Sequence, residues 1–179
     1  MVLDENGGWE VRFCYADPPY IGCAKTHYSK DPSGIEPKEI DHSELIKQLN
    51  TYDCWALSTH SPGLKQILPF CPDDVRIAAW VKPFASFKPN VNPAYAWEPI
   101  IFRGARKRER TDMTVPDWVS ANITLQKGTH GAKPMQFCLW LFELMGLRRG
   151  DELVDLFPGS GIVSRAWDTW IKCIPLFSE

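Results

Sequence analysis

The sequence has no long hydrophobic run. Its longest uncharged apolar stretch is FCLWLF at 137–142, far short of the roughly 20 residues that span a bilayer, so no membrane partner is expected. No CxxC pair occurs among the cysteines at 14, 23, 54, 71, 138 and 173, and no Cys/His spacing fits a zinc site. Cys23 and His27 are four apart, but no second pair completes a ligand set, so no metal is expected. The G-x-S-x-G elbow, GxGxxG and the P-loop GKS/T are also missing, which argues against an α/β hydrolase, a dehydrogenase and a P-loop nucleotidase. Strong charge is lacking too: 20 Lys and Arg face 22 Asp and Glu, a net charge of -2. On the sum alone that argues against nucleic acid as a partner. The acidic opening MVLDENGGWE does not resemble a secretory signal or a transit peptide.

What remains is an ordinary globular composition. With 179 residues, 44% hydrophobic and 23% charged, the chain is long enough for one domain with a proper core, which excludes disordered, collagen-like and coiled-coil classes. Most cysteines sit inside apolar stretches such as FCY, DCW and FCL. They read as small buried hydrophobes of a reduced cytoplasm. The eight tryptophans have two readings: a bulky core, or walls that stack a flat ligand.

Short β-rich runs alternate with helical patterns. VRFCYA (11–16), CWALST (54–59), VRIAAWV (75–81), AWEPIIFRG (96–104), DELVDLF (151–157) and CIPLFSE (173–179) predict strands. DHSELIKQLN (41–50) has helical spacing, with Asp41 or Ser43 as the cap. SPGLKQILPF (61–70), KPMQFCLWLFELMGL (133–147) and IVSRAWDTWIK (162–172) also predict helices, with Pro134 at a first helical position and Gly146 at a helix end. Residues 105–131 form the least regular stretch. The alternation argues an α/β fold with a mainly parallel sheet flanked by helices.

Two loops carry chemistry. Asp17-Pro18-Pro19-Tyr20 ends the first strand. It is either a turn with a packed tyrosine or a site for an exocyclic amino group, whose N–H bonds the Asp17 oxygen and the Pro18 carbonyl would accept. Asp155-Leu156-Phe157-Pro158-Gly159-Ser160-Gly161 joins a strand to a helix. It is either a tight turn or a loop whose glycines let the backbone approach a ligand at the C-terminal edge of the sheet.

Taken together, the two loops resemble signature motifs of the S-adenosylmethionine-dependent amino-methyltransferases, which methylate adenine N6 or cytosine N4. Trp80-Val81-Lys82 with Trp97-Glu98-Pro99-Ile100, the segment THGAKP (129–134), and Glu179 after the glycine loop are similar to further segments of that family. The matches run from about residue 11 to 179 in consistent order. Here DPPY precedes the glycine loop, an order that resembles the β class of DNA amino-methyltransferases and the relatives that methylate adenosine N6 in RNA. Asp in first place resembles the adenine-N6 members. Two departures stand out: Ile162-Val163 follow Gly-Ser-Gly where many members carry Thr-Thr, and the strand that would follow Glu179 is missing.

The resemblance implies a Rossmann-like methyltransferase fold in permuted order, as one domain over 1–179, with 105–131 a short target-recognition or loop insertion. It implies S-adenosylmethionine as cofactor and DNA, or RNA, as partner, with a homodimer or a specificity-conferring subunit in view of the short insertion. A cytoplasmic, bacterial or phage-encoded adenine-N6 DNA methyltransferase acting on a flipped-out base is the expected activity. Cytosine-N4 or RNA methylation and a non-catalytic nucleic-acid-binding module are the alternatives.

Catalysis would fall to Asp17, Pro18, Pro19 and Tyr20, the tyrosine stacking on the base. Asp155, Phe157, Gly159, Ser160 and Gly161 would shape the cofactor site beside Asp17. Lys133 would pair with the methionine carboxylate, Glu179 with the ribose, and Trp9 would close the pocket. His27 and Tyr28 belong to a segment expected to form a lid, and His60, at a strand end, has a turn or structural role as its first reading. Trp118 is assigned to the target loop, or to a core or lid role. Arg103, Arg106, Lys107, Arg108 and Arg110 set five positive charges against Glu109. Such a run is either a solvated face or, beside a base-modifying site, a phosphate contact.

Overall fold

The computed structural model describes residues 10–22, 39–85, 87, 89–123 and 132–173. Strand β1 is Arg12–Ala16, followed by helix α1 (His42–Leu49) and strand β2 (Cys54–Ser58). A short helix α2 (Leu64–Ile67) sits between two 3₁₀ turns, Ser61–Gly63 and Leu68–Phe70. Then come β3 (Arg76–Val81), β4 (Trp97–Arg103), β5 (Trp118–Ser120), α3 (Met135–Met145), β6 (Glu152–Asp155) and α4 (Ile162–Cys173). Among the described residues no helix is long and apolar enough to cross a membrane.

The sheet has six strands in the order β5-β3-β4-β2-β1-β6. Strands β1, β2 and β6 pair in parallel, as do β3 and β5, while β4 runs antiparallel to both β2 and β3. So β4 alone points against the rest, and the mainly parallel α/β expectation holds.

Alternation along the strands sorts the core into two layers. Phe13 and Tyr15 face one way with Ala56, Trp80, Ile100 and Phe102, and pack on Phe137, Leu141 and Phe142 of α3 and Val163 and Ala166 of α4. Cys14 and Ala16 face the other way with Trp55, Leu57 and Ile101, against Leu45, Ile46 and Leu49 of α1 and Ile67 of α2. Both faces of β1 and β2 are therefore dry, which is why FCYA and CWAL read as unbroken apolar runs.

Local signals set the element ends. Asp41 caps α1, its Oδ1 accepting from the Ser43 and Glu44 amides at 2.9 and 3.2 Å. Gly146 closes α3 at φ 69°, in the left-handed region that favours glycine. Pro134 stands one place earlier than expected: at ψ 150° it is the cap and Met135 opens the helix. The single helix expected over 61–70 is instead three short pieces, because Pro69 has no N–H to continue the pattern. The irregular stretch 105–131 holds β5, a strand that three residues could not announce. Trp118 there is half exposed on an edge strand. Cys173 ends α4, and the rest of the strand expected over 173–179 lies outside the described residues.

Candidate active site

Helix α1, after β1, covers one face of the sheet, and α4, after β6, covers the other. Yet β1 and β6 are adjacent, paired from Arg12–Glu152 to Tyr15–Asp155. The two chains thus leave their strands in opposite directions. That creates a crevice outside the carboxyl ends, the position where open α/β sheets bind ligands. Asp17–Tyr20 is the loop after β1 and Asp155–Gly161 the loop after β6, so the topology brings both predicted loops to one crevice.

The DPPY side is built around a buried ammonium. Lys133, only 4% exposed, donates to both Asp17 oxygens, at 2.8 Å to Oδ1 and 2.7 Å to Oδ2. It also lies 3.4 Å from Glu98 Oε2 and 3.3 Å from the Tyr20 hydroxyl. Tyr20 donates that hydroxyl to Glu98 Oε2 at 2.6 Å. Lys82 pairs with Glu98 Oε1 and lies over the Trp80 ring at 4.9 Å. The antiparallel course of β4 makes this possible: its second residue, Glu98, starts at the end of the sheet where β1 finishes. On the ring, His60 stacks parallel to Tyr20, with centroids 5.4 Å apart and 3° between planes.

Two carboxylates and two ammoniums balance in this cluster, as buried charge requires. Burial pushes the Asp17 carboxyl above its ordinary value, with Lys133 opposing the rise. Burial acts on Glu98 too, but Lys133 and Lys82 outweigh it and hold that carboxyl low. For Lys133 burial favours loss of the proton, and Asp17 and Glu98 outweigh it, so the ammonium is held more tightly than usual. Burial, then Asp17 and Glu98, push the Tyr20 phenol well above its ordinary range, so it stays protonated and donates.

The β6 side offers unspent polar groups. Asp155 Oδ1 accepts from the Phe157 amide at 3.1 Å, turning the chain out of the strand after Asp155 rather than at 157. Its Oδ2 is buried without a partner among the described residues, as are Thr59 Oγ1 and His60 Nδ1 at the end of β2. Burial raises the Asp155 carboxyl, with the Phe157 amide opposing. Gly159 and Gly161, in the same loop, lie at φ 44° and 69°, where backbone carries no side chain to bar a ligand. An orphaned acceptor in a loop with glycine backbone suits a small ligand rich in donors.

Not every predicted residue joins this crevice. Lys133 meets Asp17 and Glu98 within the chain, which places it in the DPPY cluster. The basic run lies at the other end of the strands: Arg103 is opposite Trp55, near the start of β2, and Arg106 donates to Gly146 at the far end of α3. Three of its members serve the fold. Arg103 pairs with Asp74 at 2.7 Å, Arg106 makes two bonds with buried Asp151, and Arg108 pairs with Glu143. The expectation that this run stands beside the site is therefore corrected. Trp9, His27, Tyr28, the first three residues of THGAKP and Glu179 lie outside the described residues. Glu98, Lys82 and His60 join the cluster beyond the predicted site residues; the WxK and WEP segments carry the signal for the first two.

No family model matches the chain, and no curated protein matches it. Solved structures do. A crystal structure of an M1.HpyAVI-SAM complex is similar over 90% of this chain and 79% of that one, at TM-score 0.59 and 15% identity. A crystal structure of M1.HpyAVI is similar over 90% of this chain and 76% of that one, at TM-score 0.56 and 11% identity. The likeness is one of fold.

Proposed function

We propose that this chain is an S-adenosylmethionine-dependent methyltransferase that acts on the N6 amino group of adenine in DNA. The observation that carries the proposal is the meeting of DPPY and the Asp155–Gly161 loop across the β1/β6 crevice. Its likeness in fold to a SAM complex supports the cofactor, and the Asp-first DPPY supports adenine.

The residues present fit the cofactor. The unpartnered Asp155 Oδ2 is an acceptor for its ammonium or hydroxyl groups, the Gly159, Ser160 and Gly161 backbone offers close approach, and Phe157 supplies an apolar wall. Glu179 is proposed for the ribose. When bound, S-adenosylmethionine supplies a methyl group on a positively charged sulfur. The chain's own contribution is positioning and electrostatics. Asp17 and the Pro18 carbonyl accept the two amino N–H bonds and fix the nitrogen. Lys133 holds the Asp17 carboxylate in place, and Pro19 stiffens the turn. Tyr20, tied to Glu98 and backed by His60, forms a rigid wall for a flat base. In a duplex that base must leave the stack. Residues 105–131 are proposed as a loop insertion of a single domain, since the basic run at its start lies away from the crevice.

A second reading, a non-catalytic module that binds nucleic acid, has one observation in its favour: Lys133 already bonds both oxygens of Asp17. Incubation with methyl-labelled S-adenosylmethionine and single- or double-stranded DNA or RNA, followed by digestion to nucleosides, separates the two. Label in N6-methyladenine from DNA is expected, abolished by Asp17→Ala with cofactor binding retained. Cofactor binding without label in any nucleoside favours the module. Full activity of the Asp17→Ala protein refutes the assignment.

A further inference from the structure

A second cleft, of about 360 Å³, is lined by Ser61, Asn90, Asn92, Tyr95 and Trp97 among others. Two of its lining residues are sequence neighbours of residues that hold Tyr20. Ser61 follows His60, which stacks on Tyr20, and Trp97 precedes Glu98, which holds the Tyr20 hydroxyl. Its volume lies within the roughly 300–1,000 Å³ typical of small-ligand sites. The connection from β3 with the first residue of β4, residues 82–97, supplies most of it and has four aromatics, two lysines and no Asp or Glu. Tyr95 is 49% exposed and Trp97 39%, so their rings are offered to solvent and not spent in the core. Phe84 and Phe87 on the same connection are more exposed still.

We infer that this cleft is a subsite for the nucleobase next to the target base in the same strand, so that the enzyme holds its substrate as a locally unstacked single strand. Aromatic rings accept any base by its π-face. The Asn90 and Asn92 carboxamides each donate and accept, the pattern that reads base edges. An acid-free connection raises no repulsion against the phosphates. The inference rests on the proposed function for the identity of the target, but the cleft can be tested apart from catalysis.

The experiment titrates the full chain with a fluorophore-labelled single-stranded DNA oligonucleotide containing adenine, read by anisotropy. The Tyr95→Ala/Trp97→Ala protein is expected to bind about 10- to 100-fold more weakly, the scale of lost base–aromatic stacking, with cofactor affinity unchanged. The Tyr95→Phe/Trp97→Phe protein keeps the rings and is expected to stay close to the parent, which separates stacking from misfolding. Removing the base adjacent to the adenine should weaken the parent by the same factor and leave the alanine protein unaffected. No binding by the parent, equal binding by parent and alanine proteins, a phenylalanine protein as weak as the alanine one, or additive losses would each overturn the inference. Methyl transfer, scored separately on the parent, tests the proposed function without altering this comparison.

Discussion

Lys133→Met removes the ammonium on which the DPPY cluster depends. The methionine roughly fills the space, so the change is one of charge. Glu98 keeps Lys82 and the Tyr20 hydroxyl, whereas Asp17 loses the only cation bonded to it among the described residues. Breaking a buried pair on one side costs ~3–5 kcal/mol. Asp17 is 21% exposed, and solvent recovers part of that, so about 3 kcal/mol is expected. For a domain near this size that is a fall in Tm of roughly 6–12 °C. The loss depends on pH. Burial already raises the Asp17 carboxyl against Lys133, so without Lys133 its folded value rises further above the unfolded one. A raised folded pKa gives stability that is complete below the unfolded value and lost as pH rises through the folded one. The variant is therefore closest to the parent in mild acid and furthest from it at neutral pH. Urea unfolding across that range measures the difference. Adding Asp17→Asn to Lys133→Met removes the stranded charge and should restore about 2 kcal/mol at neutral pH. A loss below about 1 kcal/mol, or one that does not change with pH, refutes the argument that Lys133 is there to neutralise Asp17.

Gly104 sits at φ 76°, and a Cβ there would lie 2.5 Å from the Asp53 carbonyl oxygen; Gly104→Ala should cost about 3 kcal/mol by chemical denaturation, and a cost under 1 would show that the chain entering β2 yields easily. Gly161, at φ 69° with only Arg165 within reach, should lose about 1 kcal/mol on change to Ala but at least tenfold in cofactor affinity by calorimetry; unchanged affinity would remove the loop from the cofactor site. Lys107→Ala/Arg110→Ala should leave the salt dependence of DNA binding as it is, because the run lies away from the crevice. A slope lower by roughly 2, at about 0.9 per phosphate, would place these residues on the nucleic acid after all.

Much of the fold was legible because β1 and β2 are buried on both faces and announce themselves as apolar runs, and because Asp41, Gly146 and the prolines punctuate the helices. Strand β5 was not, since Trp118–Ser120 gains its place only from β3. The two crevice loops were legible as motifs. The bonding inside the crevice was not. Nothing local says that Lys133 meets Asp17 across 116 positions, or that a reversed β4 returns Glu98 to Tyr20. The basic run misled for the same reason. Charge density is visible in a sequence, but which end of a sheet carries it is decided by strand direction.

The pairing of β1 with β6 also constrains the order of events in folding. Arg12 and Glu152 are 140 positions apart, and closing so long a loop costs entropy before any contact repays it. The crevice between these strands forms only when that loop closes, so a chain still emerging from the ribosome carries DPPY long before it can hold the methyl donor. Pulse-labelled hydrogen exchange should show the β6 amides protected last, and cofactor binding should appear with them.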